Sequence, residues 1–170
     1  MSADFYAPTD LAASMSWGAN CGPAAIAAAC GLELAAVRVA VSKKSGFAGH
    51  MGIPDVERAC RTLGRTIVKS DSSPGPMAAW PRESTHIGMV EIQGPWSGDK
   101  WESAKRRHLV AARWRPFALP GLWMVYDVNA GEWVAAVAWR AWVMDPLARE
   151  FPGASGLWNF SWRGELAEPG

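Results

Sequence analysis

Cysteine is scarce in this chain: three residues, at 21, 30 and 60, an odd number with no CxxC pair. Neither a disulfide framework nor a cysteine-rich zinc site suits that pattern, and reduced thiols are expected. Charge of one sign is missing too. Seventeen Lys and Arg against sixteen Asp and Glu leave a formal net charge of +1, which gives no general electrostatic drive toward nucleic acid or an anionic membrane. No apolar run approaches the roughly 20 residues that span a bilayer. The N-terminus MSADFYAPTD carries Asp4 and Asp10 where a signal peptide would have positive charge and then an apolar stretch. The expectation is a cytoplasmic protein with neither a nucleic acid nor a membrane as partner. There is no P-loop, no dinucleotide-type glycine pattern and no HExxH, so no cofactor and no metal are expected. Histidine numbers only three, which keeps the search for catalytic bases short.

What is present is apolar residue in quantity: 49% hydrophobic against 19% charged over 170 residues, enough for one domain with a real core. Residues 1–15 read as a polar, irregular lead-in. A helix is expected from Cys21 to Cys30, with Pro23 in its first turn and Gly31 as its stop. A second is expected from Glu33 to Val41, where Leu34, Val37 and Val41 recur at helical spacing, and a third from Pro54 to Leu63, opened by Pro54 and Asp55 and ended by Gly64. SGFAGHMG (45–52) is a glycine-rich loop. A short strand at Thr66 to Lys69 and a loop at SDSSPGPMAAWP follow. The second half is rich in β-branched and aromatic residues: THIGMVEI (85–92), RHLVAARW (107–114), LWMVYDV (122–128) and LWNFSW (157–162) read as strands. EWVAAVAWRAWVMDPLARE (132–150) reads as one more helix on the flank. Helices first and strands after predict an α+β fold, with the helices packed on an antiparallel sheet.

Ten of the eleven tryptophans fall between Trp80 and Trp162. Most are expected to pack in the core and at strand edges, with a minority available to line a cleft.

SWGANCGPAAIAAAC (16–30) changes character at Cys21, from small turn-prone residues to a run that reads as a buried helix. A thiol in a first helical turn feels the positive end of the helix dipole, which favours the thiolate. Buried structural cysteines are common, so a catalytic reading needs a base and a group to orient that base. His50 lies in the glycine-rich loop and His86 near a strand start, neither with an obvious orienting acid. His108 heads the strand HLVAARW, and the next strand ends in Asp127. If the two pair as a hairpin, His108 and Asp127 meet at one edge of the sheet, leaving the second imidazole nitrogen for Cys21. Cys30, about two and a half turns along the helix, is expected in the core. Lys105, Arg106 and Arg107 form a basic cluster beside His108, read as a solvated strand end or a contact for an acidic substrate segment.

NCGPAA, a His at the head of HLVAA and an Asp closing VYDVNA, in that order, resemble the papain-like cysteine peptidases. The resemblance is closest to the bacteriocin-processing peptidase domains of ABC transporters and their small stand-alone relatives. GIPDVERACRTLG (52–64) is similar to the helix after the nucleophile helix in that group. GPW (94–96), YDVNAGEWVAAVAWRAW and FPGASGLWNFSW are similar to segments of small papain-like proteins of bacteriophages and prophages. The resemblance covers roughly residues 16–162. It implies a single papain-like domain that cleaves a peptide or isopeptide bond in a peptide or protein substrate through Cys21, His108 and Asp127. For a phage-encoded protein it implies residence in the host cytoplasm or the virion. The family usually places a Gln six residues before the nucleophile; Met15 stands there. Asn20 or Ser16 is then the candidate oxyanion donor beside the backbone N–H of Cys21. Two alternatives stay open: a non-catalytic binding or virion-associated module of the same fold, and an acyltransferase passing the acyl group to an amine.

Overall fold

In the computed structural model of the chain, residues 5–14, 20–41, 51–99, 102–103, 106–116 and 121–167 are described. Met15, Ser16, His50 and Lys105 lie outside them. Helix α1 (Cys21–Cys30) ends where expected, because Gly31 adopts a left-handed conformation (φ 68°) and its N–H returns to Ala27 and Ala28 carbonyls. Five alanines and an isoleucine make almost the whole helix burial-competent. Their small side chains let its backbone lie close across β3, with β2 and β4 on either side. Helix α2 (Leu34–Val41) follows. Its first turn is capped from the lead-in, since Asp10 accepts from the Leu34 and Ala35 N–H groups, each at 2.8 Å. Glu33 returns the favour by accepting from the Thr9 and Asp10 backbone. The described part of the lead-in, residues 5–14, is thus tied down, and includes a 3₁₀ turn at Leu11–Ser14. Helix α3 (Ile53–Thr62) has Pro54 in its first turn, and the Gly52 N–H donates to the Asp55 carboxylate at 3.1 Å.

Six strands form one antiparallel sheet: β1 (Ile67–Asp71), β2 (Thr85–Ile92), β3 (Arg107–Arg115), β4 (Leu122–Asp127), β5 (Glu132–Ala135) and β6 (Trp158–Leu166). Their spatial order is β1-β6-β2-β3-β4-β5. Helices then an antiparallel sheet make the fold α+β. The helix expected over 132–150 is corrected at its start. Residues Glu132–Ala135 pair with Met124–Asp127 as β5, because pairing there satisfies the outer-edge N–H and C=O groups of β4, which a helix would have left without backbone partners. Helix α4 occupies 136–150, with a π-helical segment at Arg140–Met144 between α-helical ends. Between β1 and β2 the expected loop contains a short 3₁₀ turn at Met77–Ala79.

Both faces of the sheet are covered. On one, Ile87, Met89, Leu109, Ala111, Tyr126 and Trp162 pack against α1, α2 and α3. On the other, Val90, Val110, Ala112 and Val125 pack against α4 together with Trp80, Trp123 and Trp139. Residues alternate between these faces along β3 and β4, as the pleat requires. Most described tryptophans pack, as expected, though Trp142 is 77% exposed. No single described helix is long and apolar enough to cross a membrane; α1 and α2 pass such a test only together, and they are bent by 118°.

Ile26 is fully buried at the centre of α1 against the sheet. Ile26→Ala is expected to lower stability by about 2–5 kcal/mol through lost burial and an unfilled cavity, read as a fall in the urea midpoint at unchanged slope.

Candidate active site

Antiparallel pairing of β3 with β4 sets Ala111 opposite Tyr126. One step further the register puts Val110 opposite Asp127, so His108 is Asp127's diagonal neighbour on the same face. The pair closes: His108 Nε2 lies 2.8 Å from Asp127 Oδ2. That bond leaves Nδ1 for the thiol, and His108 lies near enough to Cys21 to lower the thiol's pKa. The Leu109 N–H, at the start of β3, also favours the thiolate. Gly22 is what lets this first turn come so close. A Cβ there would sit 2.8 Å from Met51 Sδ and 3.2 Å from Leu109 Cδ1.

Asp127 is 0% exposed and His108 only 7%. The carboxylate is held by three donors from three places. His108 Nε2 and Trp139 Nε1 (2.7 Å) share Oδ2, while the Asn129 N–H (2.9 Å) takes Oδ1. The turn behind it is closed by the Ala130 and Gly131 N–H groups on the Asp127 carbonyl, with Gly131 at φ 72°. Burial pushes the Asp127 carboxyl up, but the charge and hydrogen bond of His108, with Trp139 and Asn129, outweigh it and hold the group below its usual range. Burial also works against a charged His108. Asp127 and Cys21 together reverse this and raise the imidazole to about 10. For Cys21 burial raises the thiol, and His108 with the Leu109 N–H more than compensates, so the net shift is downward. The arrangement therefore favours a thiolate–imidazolium pair backed by an ionised carboxylate.

Asn20 occupies the position before α1 and adjoins Cys21, but makes no side-chain cap to the helix. Ser16, the other candidate oxyanion donor, lies outside the described residues. His86 does not join the site. It is buried on β2, opposite Ala112, with Nε2 2.7 Å from the Pro81 carbonyl, and burial lowers its pKa. The basic cluster is largely answered within the fold: Arg106 bonds Glu102 and lies 4.3 Å from the Trp96 ring centroid, and Arg107 pairs with Glu91 at 3.2 Å. Cys30 and Cys60 are buried and perturb each other's thiol, away from the site. Among the described residues no group of three or more His, Cys, Asp or Glu is placed to hold a metal ion.

Two contributors escaped sequence reasoning. Trp139 falls in a segment read only as a flanking helix; the available signal was that a buried indole needs an acceptor for its N–H. Asn129 contributes only its backbone, which any residue could supply. No family model, no curated protein and no solved structure matches the chain.

Iodoacetamide is expected to alkylate Cys21 in the folded protein while Cys30 and Cys60 stay protected. Its rate should rise with pH through a midpoint below the ordinary thiol value of about 8.5. Because the thiolate is stabilised chiefly by charged His108, His108→Ala should move that midpoint upward. An unmoved midpoint would detach His108 from the thiol. Trp139→Phe keeps an aromatic ring but deletes the donor to Asp127; the His108 pKa measured by NMR should change in the folded variant.

Proposed function

We propose that the chain is a papain-like thiol hydrolase that cleaves a peptide or isopeptide bond. The observation that carries this reading is the His108–Asp127 hydrogen bond beside Cys21, with the thiol at the head of α1 and its pKa lowered by His108. In the proposed reaction the Cys21 thiolate attacks the scissile carbonyl carbon, forming a C–S bond. The oxyanion is met by the Cys21 backbone N–H, with Asn20 as a candidate second donor. As the C–N bond breaks, charged His108 gives its proton to the leaving amine, and a thioester remains. Neutral His108 then takes a proton from water as water attacks the thioester; the acid leaves and the thiolate–imidazolium pair is restored. Asp127 holds the imidazole throughout and favours its charged form.

The test is mass-spectrometric analysis of a peptide library incubated with wild type and with Cys21→Ser, with and without an added primary amine. Cleavage by wild type alone supports the hydrolase. Products joined to the amine would identify a transferase using the same acyl-enzyme, and no conversion by a protein whose Cys21 is reactive would favour a binding module.

Asp127 offers a finer test on any substrate so found. An Asn there can point its oxygen at His108 and Trp139 and loses only the Asn129 N–H bond, whereas Ala leaves all three donors unpaired. Asp127→Asn is therefore expected to retain more kcat/KM than Asp127→Ala, which should lose roughly 10²- to 10⁴-fold. Wild-type activity in a folded Ala variant would remove Asp127 from the mechanism.

A further inference from the structure

A groove of about 850 Å³ opens on the face of the sheet that carries α4. None of Cys21, His108 or Asp127 lines it. Its wall is aromatic, built from Trp139, Trp158 and Phe160, and Ser73 is also on the lining. The volume falls in the range of sites that enclose a ligand of several residues' size, far more than one side chain fills.

Among the described residues, Arg140 is the one charged residue on the lining. Its side chain is 68% exposed, and its ion pair with Asp145 is long, at 3.8 Å. Asp145 Oδ1 already accepts from Trp158 Nε1 at 2.9 Å. The guanidinium carbon lies 5.7 Å from the Trp158 ring centroid, so cation and apolar wall are adjacent. A peptide C-terminus matches this juxtaposition, because its carboxylate is one atom away from the Cα that bears the last side chain. An internal acidic residue carries its charge on a different residue from the apolar group.

We propose that this groove binds the C-terminal segment of a peptide ending in an aromatic or large aliphatic residue, with the terminal carboxylate on Arg140 and the last side chain against Trp158 and Phe160. Trp139 connects the groove to the catalytic series, since the same indole that walls it donates to Asp127. Occupancy is therefore felt at Cys21. The binding claim does not depend on the hydrolase reading, and it can be measured without turnover.

Calorimetric titration of Cys21→Ala compares acetyl-Ala-Ala-Phe as the free acid, the same peptide as its C-terminal amide, and N-acetylphenylalanine. The tripeptide acid is expected to bind about tenfold more tightly than the amide, from a charge-assisted contact with Arg140. Arg140→Ala should abolish that difference. Val137→Glu, at an exposed lining position, should weaken the acid more than the amide. In wild type, saturating tripeptide acid should change the Cys21 alkylation rate by about threefold or more. Equal affinities of acid and amide, or no binding up to about 10 mM, would overturn the site. N-acetylphenylalanine binding as tightly as the tripeptide would replace it with a small-acid site. An unchanged alkylation rate at saturation would overturn the link through Trp139. Loss of peptide cleavage with peptide binding intact would count against the hydrolase alone.

Discussion

A fully buried carboxylate is the constraint around which this fold is assembled. Removing an ion of that size from water costs several kcal/mol unless donors replace the lost hydration. Asp127 obtains them from β3 through His108, from the following turn through Asn129, and from α4 through Trp139. The β3–β4 hairpin, the turn and the flanking helix must therefore all be in place before the charge is tolerated. Once they are, the stabilisation passes outward: the carboxylate favours charged His108 against its own burial, and His108 lowers the pKa of Cys21 against the burial of the thiol. Removing one partner from such a series leaves a buried charge uncompensated, which is why its members act as a unit.

The geometry that lets Cys21 join comes from small residues. The alanines of α1 and Gly22 at its head allow the helix to approach β3 at close range, which brings Cys21 to the start of that strand. On the opposite face the sheet is filled by large rings, with Trp80, Trp123 and Trp139 buried and edge-to-face contacts linking Trp80 to Trp123 and Trp139 to Trp158. The two faces are packed by different means for different ends: close approach on the side of α1, and on the other a rigid aromatic layer that fixes one indole N–H on Asp127 and leaves a groove beyond it.

Much of this was legible from local patterns. Pro23 and Gly31 bracket α1 by conformational preference alone, and the β-branched and aromatic run 85–92 coincides with β2. Cys21, His108 and Asp127 could be nominated because a hairpin necessarily brings the start of one strand near the end of the next. The segment EWVA could not be placed in the same way. Its residues suit a helix or an edge strand, and only the unpaired side of β4 decided for the strand. Nor could local pattern show β6 inserted between β1 and β2, a pairing across more than sixty residues of chain.

By itself, then, the sequence determined the elements whose signals are local: a thiol at a helix start, two strands in hairpin order, an acid at the second strand's end, and helices preceding a sheet. Tertiary structure alone decided the diagonal register that turns His108 and Asp127 to one face, the choice of Trp139 as a donor, the neutralisation of Arg106 and Arg107 by Glu102 and Glu91, and the aromatic groove beside α4. The physical reason is range. Backbone preferences and capping act over a few residues, whereas a buried charge or an indole N–H is satisfied by whatever donor or acceptor the folded chain brings within about 3 Å, irrespective of its distance along the chain.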